Sequence, residues 1–288
     1  ERMRRGDFSE VSAQIRNPFT REPFAGNQIP TSMLNPTALA LLKYYPLPNL
    51  SGTVNNYQGP AQDNDYHDQV IARVDQNLGN RIRLSFRYNW MKSDETYSPA
   101  VIDISNAYQP RVNKNWLASY THTLKANLHN DFRIGYHQID FDTVNWFYKN
   151  GIEGAGAALG IPGFDGDVKY SNPGIPDINV SAFTTLGGSG TNWFQFDKTF
   201  QLSDVISYTR GTHNIRAGLD MRKLQTGRRA QNSARGAFTF NGDMSGYAMA
   251  DFLLGVPRSV VTPADQLQGH VGGWRNGFFV NDVWQVTP

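Results

Sequence analysis

Between residues 81 and 90 the chain reads RIRLSFRYNW, with polar and apolar positions alternating without a break. Arg81, Arg83, Ser85, Arg87 and Asn89 fall on one face of an extended segment, and Ile82, Leu84, Phe86, Tyr88 and Trp90 on the other. Period-two alternation of this length predicts a β-strand with one covered face. Val70, Ala72 and Val74 share the parity of Ile82, Leu84 and Phe86, which predicts a hairpin of 66–76 with 81–90 around an odd-length turn near Leu78-Gly79. Trp116, Ala118, Tyr120 and Leu124 match Phe132, Ile134 and Tyr136, giving a second hairpin, 114–124 with 130–142. A third, 195–209 with 213–224, sets Phe196, Phe200, Leu202, Ile206 and Tyr208 against Ile215, Ala217, Leu219 and Met221 across a two-residue turn at Gly211-Thr212. One more strand is expected over 277–287.

The connections differ in kind. Turns inside hairpins are short, while residues 91–114, 143–194 and 225–276 lie between hairpins. Structureless connections beyond about 15 residues are uncommon in compact soluble domains. Short turns at one end and long loops at the other are the layout of an outer-membrane barrel, with aromatic residues such as Trp90, Trp116, Tyr136 and Tyr208 at the interfaces. The predicted class is all-β: a partial antiparallel transmembrane β-barrel with short periplasmic turns, long extracellular loops and short loop helices. Residues 1–65 read as a loop or connector with a short helix near 37–45, opened by Asn35-Pro36 and stopped by Pro46. Residues 66–288 carry the strands, in a single incomplete domain. A loop helix is expected over 245–254, ended by Gly255. The alternation alone leaves open whether the apolar face meets lipid or the core of a soluble sheet. Two features conflict with the lipid reading. Asp204 falls in the lipid-facing register, where a charge is costly. The parity also switches after Tyr136, since Ile139 and Phe141 are apolar, which implies a bulge or an exit from the bilayer.

Composition narrows the partners. The formal charge of the 288 residues is +2, too small to argue for a nucleic-acid partner, and Arg2/Arg4/Arg5 and Arg228/Arg229 read as solvated loop charges. Without cysteine there is no disulfide or thiolate chemistry. No run of eighteen apolar residues marks a transmembrane helix, which says nothing against transmembrane strands. The sequence starts without Met or a signal peptide and ends directly after a strand-like run, so it is read as part of a longer protein.

Catalytic signals are weak. GAGAALG at 154–160 is one residue off the dinucleotide fingerprint and reads as a flexible loop or short loop helix. DND at 63–65 starts like a calcium loop, but Val74 stands where the bidentate glutamate belongs, so turn-forming residues are the better reading. No HExxH occurs, and GGSGT at 187–191 misses the nucleophile-elbow pattern in its last residue. The six histidines show no ligand spacing. The pairs Asp140/Asp142 and Asp165/Asp167 would suit glycoside hydrolysis only if folding set two carboxylates across a cleft. The expectation is therefore a protein that is not an enzyme, with no metal and no cofactor. Two groups of candidate residues remain. Arg73, Asp75, Arg81, Arg83 and Arg87 would face the lumen of a barrel. The loop aromatics Trp146, Tyr148 and Trp193 could stack on a ligand, or equally pack a long loop onto the barrel rim.

NPFTREPFAGNQIP (17–30) followed by LLKYYPLPN (41–49) resembles a segment of the Oar-like TonB-dependent receptors. DQVIARVDQNLGNRIRLSFRYNW, GTHNIRAGLDMRK, ADFLLGVP (250–257) and FFVNDVWQVTP (278–288) resemble later blocks of that family in the same order, so the resemblance covers nearly the whole chain. It implies a monomeric outer-membrane barrel of about 22 strands with a plugged lumen. It further implies contact with outer-membrane lipid, and energised uptake of an oligosaccharide or metal chelate through coupling to the TonB–ExbB–ExbD system by an N-terminal part beyond this sequence. Two alternatives stay open: a secreted soluble β-sheet protein that binds or cleaves glycans, with its apolar faces packed sheet on sheet, and a surface adhesin or structural barrel without transport.

Overall fold

The computed structural model describes residues 1–53, 56–60, 63–98, 102–164, 173–187, 192–230, 234–262 and 267–286. Asp165/Asp167 and all of the GGSGT stretch except Gly187 lie outside them. Seven long strands form one antiparallel meander: β1 (Asp65–Leu78), β2 (Ile82–Ser98), β3 (Ala107–Lys125), β4 (Leu128–Asn145), β6 (Trp193–Arg210), β7 (His213–Ala230) and β10 (Leu267–Trp284), side by side in that order. The short strands β5 (Asp177–Val180), β8 (Ala237–Phe240) and β9 (Ser259–Val261) make a separate sheet. Helices α1 (Pro36–Leu41), α2 (Trp146–Lys149) and α3 (Ala248–Leu254) complete the described elements, together with several single 3-10 turns. Asn35 caps α1 by accepting from the Thr37 and Ala38 amides, and Gly255 closes α3 at φ 70°, a left-handed angle that glycine adopts without strain.

The register explains the alternation. Val74 pairs with Phe86, Phe86 with Ala118, Ala118 with Ile134, Ile134 with Leu202 and Leu202 with Met221. Directly opposed residues point to the same side of a sheet, so every long strand contributes to one apolar face. The neighbouring rows, Leu84–Tyr120–Phe132 and Tyr88–Trp116–Tyr136–Phe200, widen it. From Val70 to Leu78 this face spans about 27 Å along β1 at about 3.4 Å per residue. It is not covered: Val74, Phe86, Phe278 and Val280 are exposed. The sheet-on-sheet packing of the soluble alternative is therefore not what these strands do.

The strands outrun the alternation that predicts them. β2 continues to Ser98, and β3 starts at Ala107, so the 91–114 connection is mostly strand. β7 reaches Ala230 and β10 begins at Leu267, which shortens 225–276 in the same way. The bulge expected after Tyr136 is absent, since β4 keeps one register with β3 and β6 through Tyr136, Gln138 and Asp140. Beyond Tyr136 the strand has left the apolar band, and Ile139 and Phe141 belong to the opposite face. Asp204 likewise sits in an unbroken register, where its carboxylate accepts from the Asn130 side chain at 2.5 Å.

The hydrophobic core lies in a cap at the long-loop end. Phe8, Ile15 and Leu41 from the N-terminal segment pack with Phe147, Ile175, Leu186, Phe252 and Leu253 from the two long connections. Backbone hydrogen bonds tie these segments together, from Asn35 N to Leu253 O and from Arg16 N to Ser245 O, each 2.8 Å. Residues 1–50 are thus more than a connector; they build the cap.

Candidate functional site

The polar face opposite the apolar band carries the first candidate group. Arg73 grips Asp75 with two hydrogen bonds, Nε to Oδ2 at 2.7 Å and Nη2 to Oδ1 at 3.0 Å, and Arg83 reaches the same carboxylate at 3.4 Å. Arg87 stands directly opposite Arg73 in the register. Arg81 does not join them. It occupies the turn before β2, outside the strand, where its carbonyl accepts from Thr123 N at 2.8 Å.

The register adds residues that sequence reading missed. Arg133 and Asp131 form the same two-point pair on β4, at 2.9 and 3.0 Å, and Arg222 holds Asp220 at 2.8 Å on β7. Arg222 also stands opposite Arg275. The signal was available, because a carboxylate and an arginine two residues apart on the polar parity recur on β1, β4 and β7. Over four successive rows, Arg73, Arg83, Arg87, Arg133, Arg216, Arg222 and Arg275 face Asp75, Asp131 and Asp220. Arg87, Arg216 and Arg275 form no ion pair among the described residues. The face is basic, and like charges set directly opposite each other repel.

The loop aromatics each meet a different partner. Trp146 packs edge-on against Phe147 at 5.2 Å between ring centres, on the margin of the cap core. Tyr148 meets Phe194 edge-on at 5.5 Å. Trp193 meets Phe141 at 4.9 Å and lies under the Arg228 guanidinium at 4.7 Å. These contacts lie where the long connection meets the ends of β4 and β6.

The cap holds a cleft of about 400 Å³ that no sequence pattern pointed to. Met3, Arg4, Tyr45, Pro46, Tyr57, Ile102, Phe183 and Met249 are among the residues that line it. Arg4 donates from Nη2 to the carbonyls of Leu42 (2.7 Å) and Tyr45, fixing the turn that presents Tyr45. The Tyr45 hydroxyl is buried without a hydrogen-bond partner among the described residues, and this burial raises its pKa well above the ordinary phenol value. A ligand acceptor or donor reaching that hydroxyl would satisfy it.

A buried clasp joins the two long connections beside this cap core. Arg235, with its side chain 2% exposed, donates to the carbonyls of Ile175 at 3.1 Å and Gly187 at 3.3 Å and faces Asp177 at 3.7 Å. Burial pushes the Asp177 carboxyl up to about 6, with Arg235 working in the opposite direction. The cap covers the polar face at the loop end, since Ser93, Gln109 and Thr143, all on that face, are buried there. Among the described residues no group of three or more acidic or histidine side chains is placed to hold a metal. GAGAALG contains only a 3-10 turn, Ala157–Leu159.

Comparison with known proteins agrees with this geometry. The family described as outer membrane beta barrel domain matches residues 1–288, the whole chain. No curated protein matches. Among solved structures the chain is similar to the outer membrane transporter YddB from Escherichia coli, at 11% sequence identity and a TM-score of 0.47. That match covers 78% of this chain and 26% of the transporter, so the chain spans about a quarter of its length.

Proposed function

Since this chain belongs to the outer membrane beta barrel domain family and resides in the bacterial outer membrane, we propose that it is the barrel portion of a TonB-dependent receptor that takes up a bulky ligand, an oligosaccharide or a metal chelate. The apolar face meets lipid, the arginine-rich face lines the lumen, and the cap is the surface a ligand reaches first. The reading is non-enzymatic: ligand is bound and passed inward, with energy supplied through TonB–ExbB–ExbD by a part of the protein beyond this sequence. The observation that carries it is the cap, which covers the loop end of the polar face and holds an open cleft beside the buried Tyr45 hydroxyl. A barrel serving only as an adhesin or scaffold has no need of a basic lumen beneath such a cleft.

The test is accumulation of labelled oligosaccharides and metal chelates by cells that produce the full-length protein, with and without a functional TonB. The expected result is uptake of one ligand class that disappears when TonB is removed. Binding of that ligand at the cell surface without TonB-dependent accumulation would instead establish the adhesin.

A further inference from the structure

We propose that the lipid-facing side of the barrel carries a belt of lysines that holds the phosphorylated headgroups of the outer leaflet. On four strands a lysine stands two residues to the loop side of an outward apolar or aromatic residue: Lys92 beyond Trp90, Lys114 beyond Trp116, Lys198 beyond Phe200 and Lys223 beyond Met221. All four share the parity of the apolar band. Lys114 and Lys198 lie in one register row with Gln138 between them. Lys92, on β2, is one row nearer the loops, and Lys223, on β7, is one row nearer the turns.

That descent follows the edge of the band. Trp90, Trp116, Tyr136, Phe200 and Met221 mark it, stepping down the rows in the same direction from β2 to β7, with outward Val112 and Phe196 one row beyond Lys114 and Lys198. Barrel strands tilt against the axis, so a line of constant depth crosses the rows obliquely. The four lysines therefore stand within or at the upper edge of the aromatic zone at the long-loop side.

The belt is not neutralised from within. None of the four lysines forms an ion pair among the described residues. Asp68 stands opposite Lys92 in the register without an ion pair, Asp94 is held by Lys149 at 3.0 Å, and Asp140 accepts from Gln138 at 2.8 Å. Two of the lysines lie over aromatic rings, Lys198 over Phe196 at 4.8 Å and Lys223 over Trp274 at 5.8 Å from the ring centre. Such stems run along apolar surface and deliver the charge to the headgroup layer. Unpaired cations at headgroup depth on a lipid-facing wall match anionic phosphates.

The experiment uses the full-length protein in phosphatidylcholine nanodiscs containing labelled diphosphoryl lipid A or its dephosphorylated form. Lipid retained per protein is measured after mild detergent extraction. Wild type is expected to retain the diphosphoryl form preferentially. Retention should fall by at least about tenfold in the K92Q/K114Q/K198Q/K223Q variant, with 0.5 M salt weakening wild type alike, while the fourfold Lys→Arg variant keeps it. Heat-modifiable gel mobility reports folding; if the fourfold Gln variant does not fold, K114Q/K198Q is read the same way, with a smaller loss. Equal retention by a folded Gln variant, or equal retention of the two lipid forms by wild type, overturns the proposal. So does a lysine-dependent association of barrels that proceeds without lipid A, which would assign the belt to a protein neighbour.

Discussion

Arg73 on β1 stands directly opposite Arg87 on β2, and only one of them has a carboxylate: Arg73 holds Asp75 with two hydrogen bonds, while Arg87 forms no ion pair among the described residues. The arrangement repeats with three strands between, where Arg222 on β7 holds Asp220 and faces Arg275 on β10. A sheet selected for its own stability would not oppose like charges twice on one face.

Arg87→Glu places a carboxylate opposite Arg73. The cross-strand pair should stabilise the barrel by about 0.2–1 kcal/mol, read as a higher midpoint of urea unfolding in lipid vesicles. If the basic lumen serves uptake, the same substitution lowers uptake at unchanged protein level. A drop in stability would mean that Arg87 already has a partner in the complete protein.

The Asp177–Arg235 clasp makes the cap sensitive to pH. Desolvation raises the Asp177 carboxyl from 3.8 to about 6 in the folded cap. Because the folded value lies above the unfolded one, the folded state binds the proton more tightly. The associated stability is fully present below about pH 4 and is lost as pH rises through about 6. Hydrogen exchange of residues 173–187 should therefore be slower at pH 5 than at pH 8 after correction for the intrinsic rate, and Asp177→Asn should flatten the difference. Arg235→Ala leaves Asp177 buried without its cation, and the cap should lose about 3–5 kcal/mol, visible as proteolysis within 173–187 while the strands stay intact.

How far the fold could be read follows from where sequence carries period. The hairpin registers were legible because each strand alternates inside the apolar band, and Gly211 was legible as a turn residue, φ 58°, directly after Arg210. Above the band β2 and β3 carry mostly polar residues on both faces, so Met91–Ser98 and Ala107–Asn113 show no alternation although they are strand. In β10 the glycines at 269, 272, 273 and 277 remove the side chains on which a pattern would be written. The cap was illegible for a different reason. Phe8, Ile15 and Leu41 follow no period, and their partners, such as Phe252 and Leu253, lie some two hundred residues away. The paired charges on β4 and β7 obey the same parity as Arg73 and Asp75 and could have been found by extending it.

Asp251 organises the turn that enters α3. It is fully buried, and its carboxylate accepts from the amides of Gly242 (2.8 Å), Met244 (3.3 Å) and Ser245 (2.7 Å) and from the Ser245 hydroxyl (2.5 Å). Hydrogen bonds to a charged group contribute about 1.5–3 kcal/mol each, and a buried donor left without its acceptor is costly. Asp251→Ala should therefore destabilise the cap by about 3 kcal/mol or more, measured as loss of protease resistance in 234–262. Asp251→Asn keeps one acceptor oxygen and should lose less.

Asp204 tests the assignment of faces from the opposite direction. It points out of the barrel in a row with Phe132, Leu219 and Phe278, and Asn130 on the adjacent strand donates to it. In lipid an outward charge at this depth is unfavourable, though less so for Asp than for Lys or Arg, whose midplane penalty is about 2–4 kcal/mol. Asp204→Leu alone leaves the Asn130 amide only its long 3.4 Å bond to the Val205 carbonyl, so the informative variant is Asn130→Leu with Asp204→Leu. It should raise stability in lipid vesicles by about 1–2 kcal/mol, with the gain growing as the bilayer thickens and carries the interface further from this row. If the faces were reversed, with Asp204 in a hydrated lumen, the double substitution would bring no gain and no dependence on bilayer thickness.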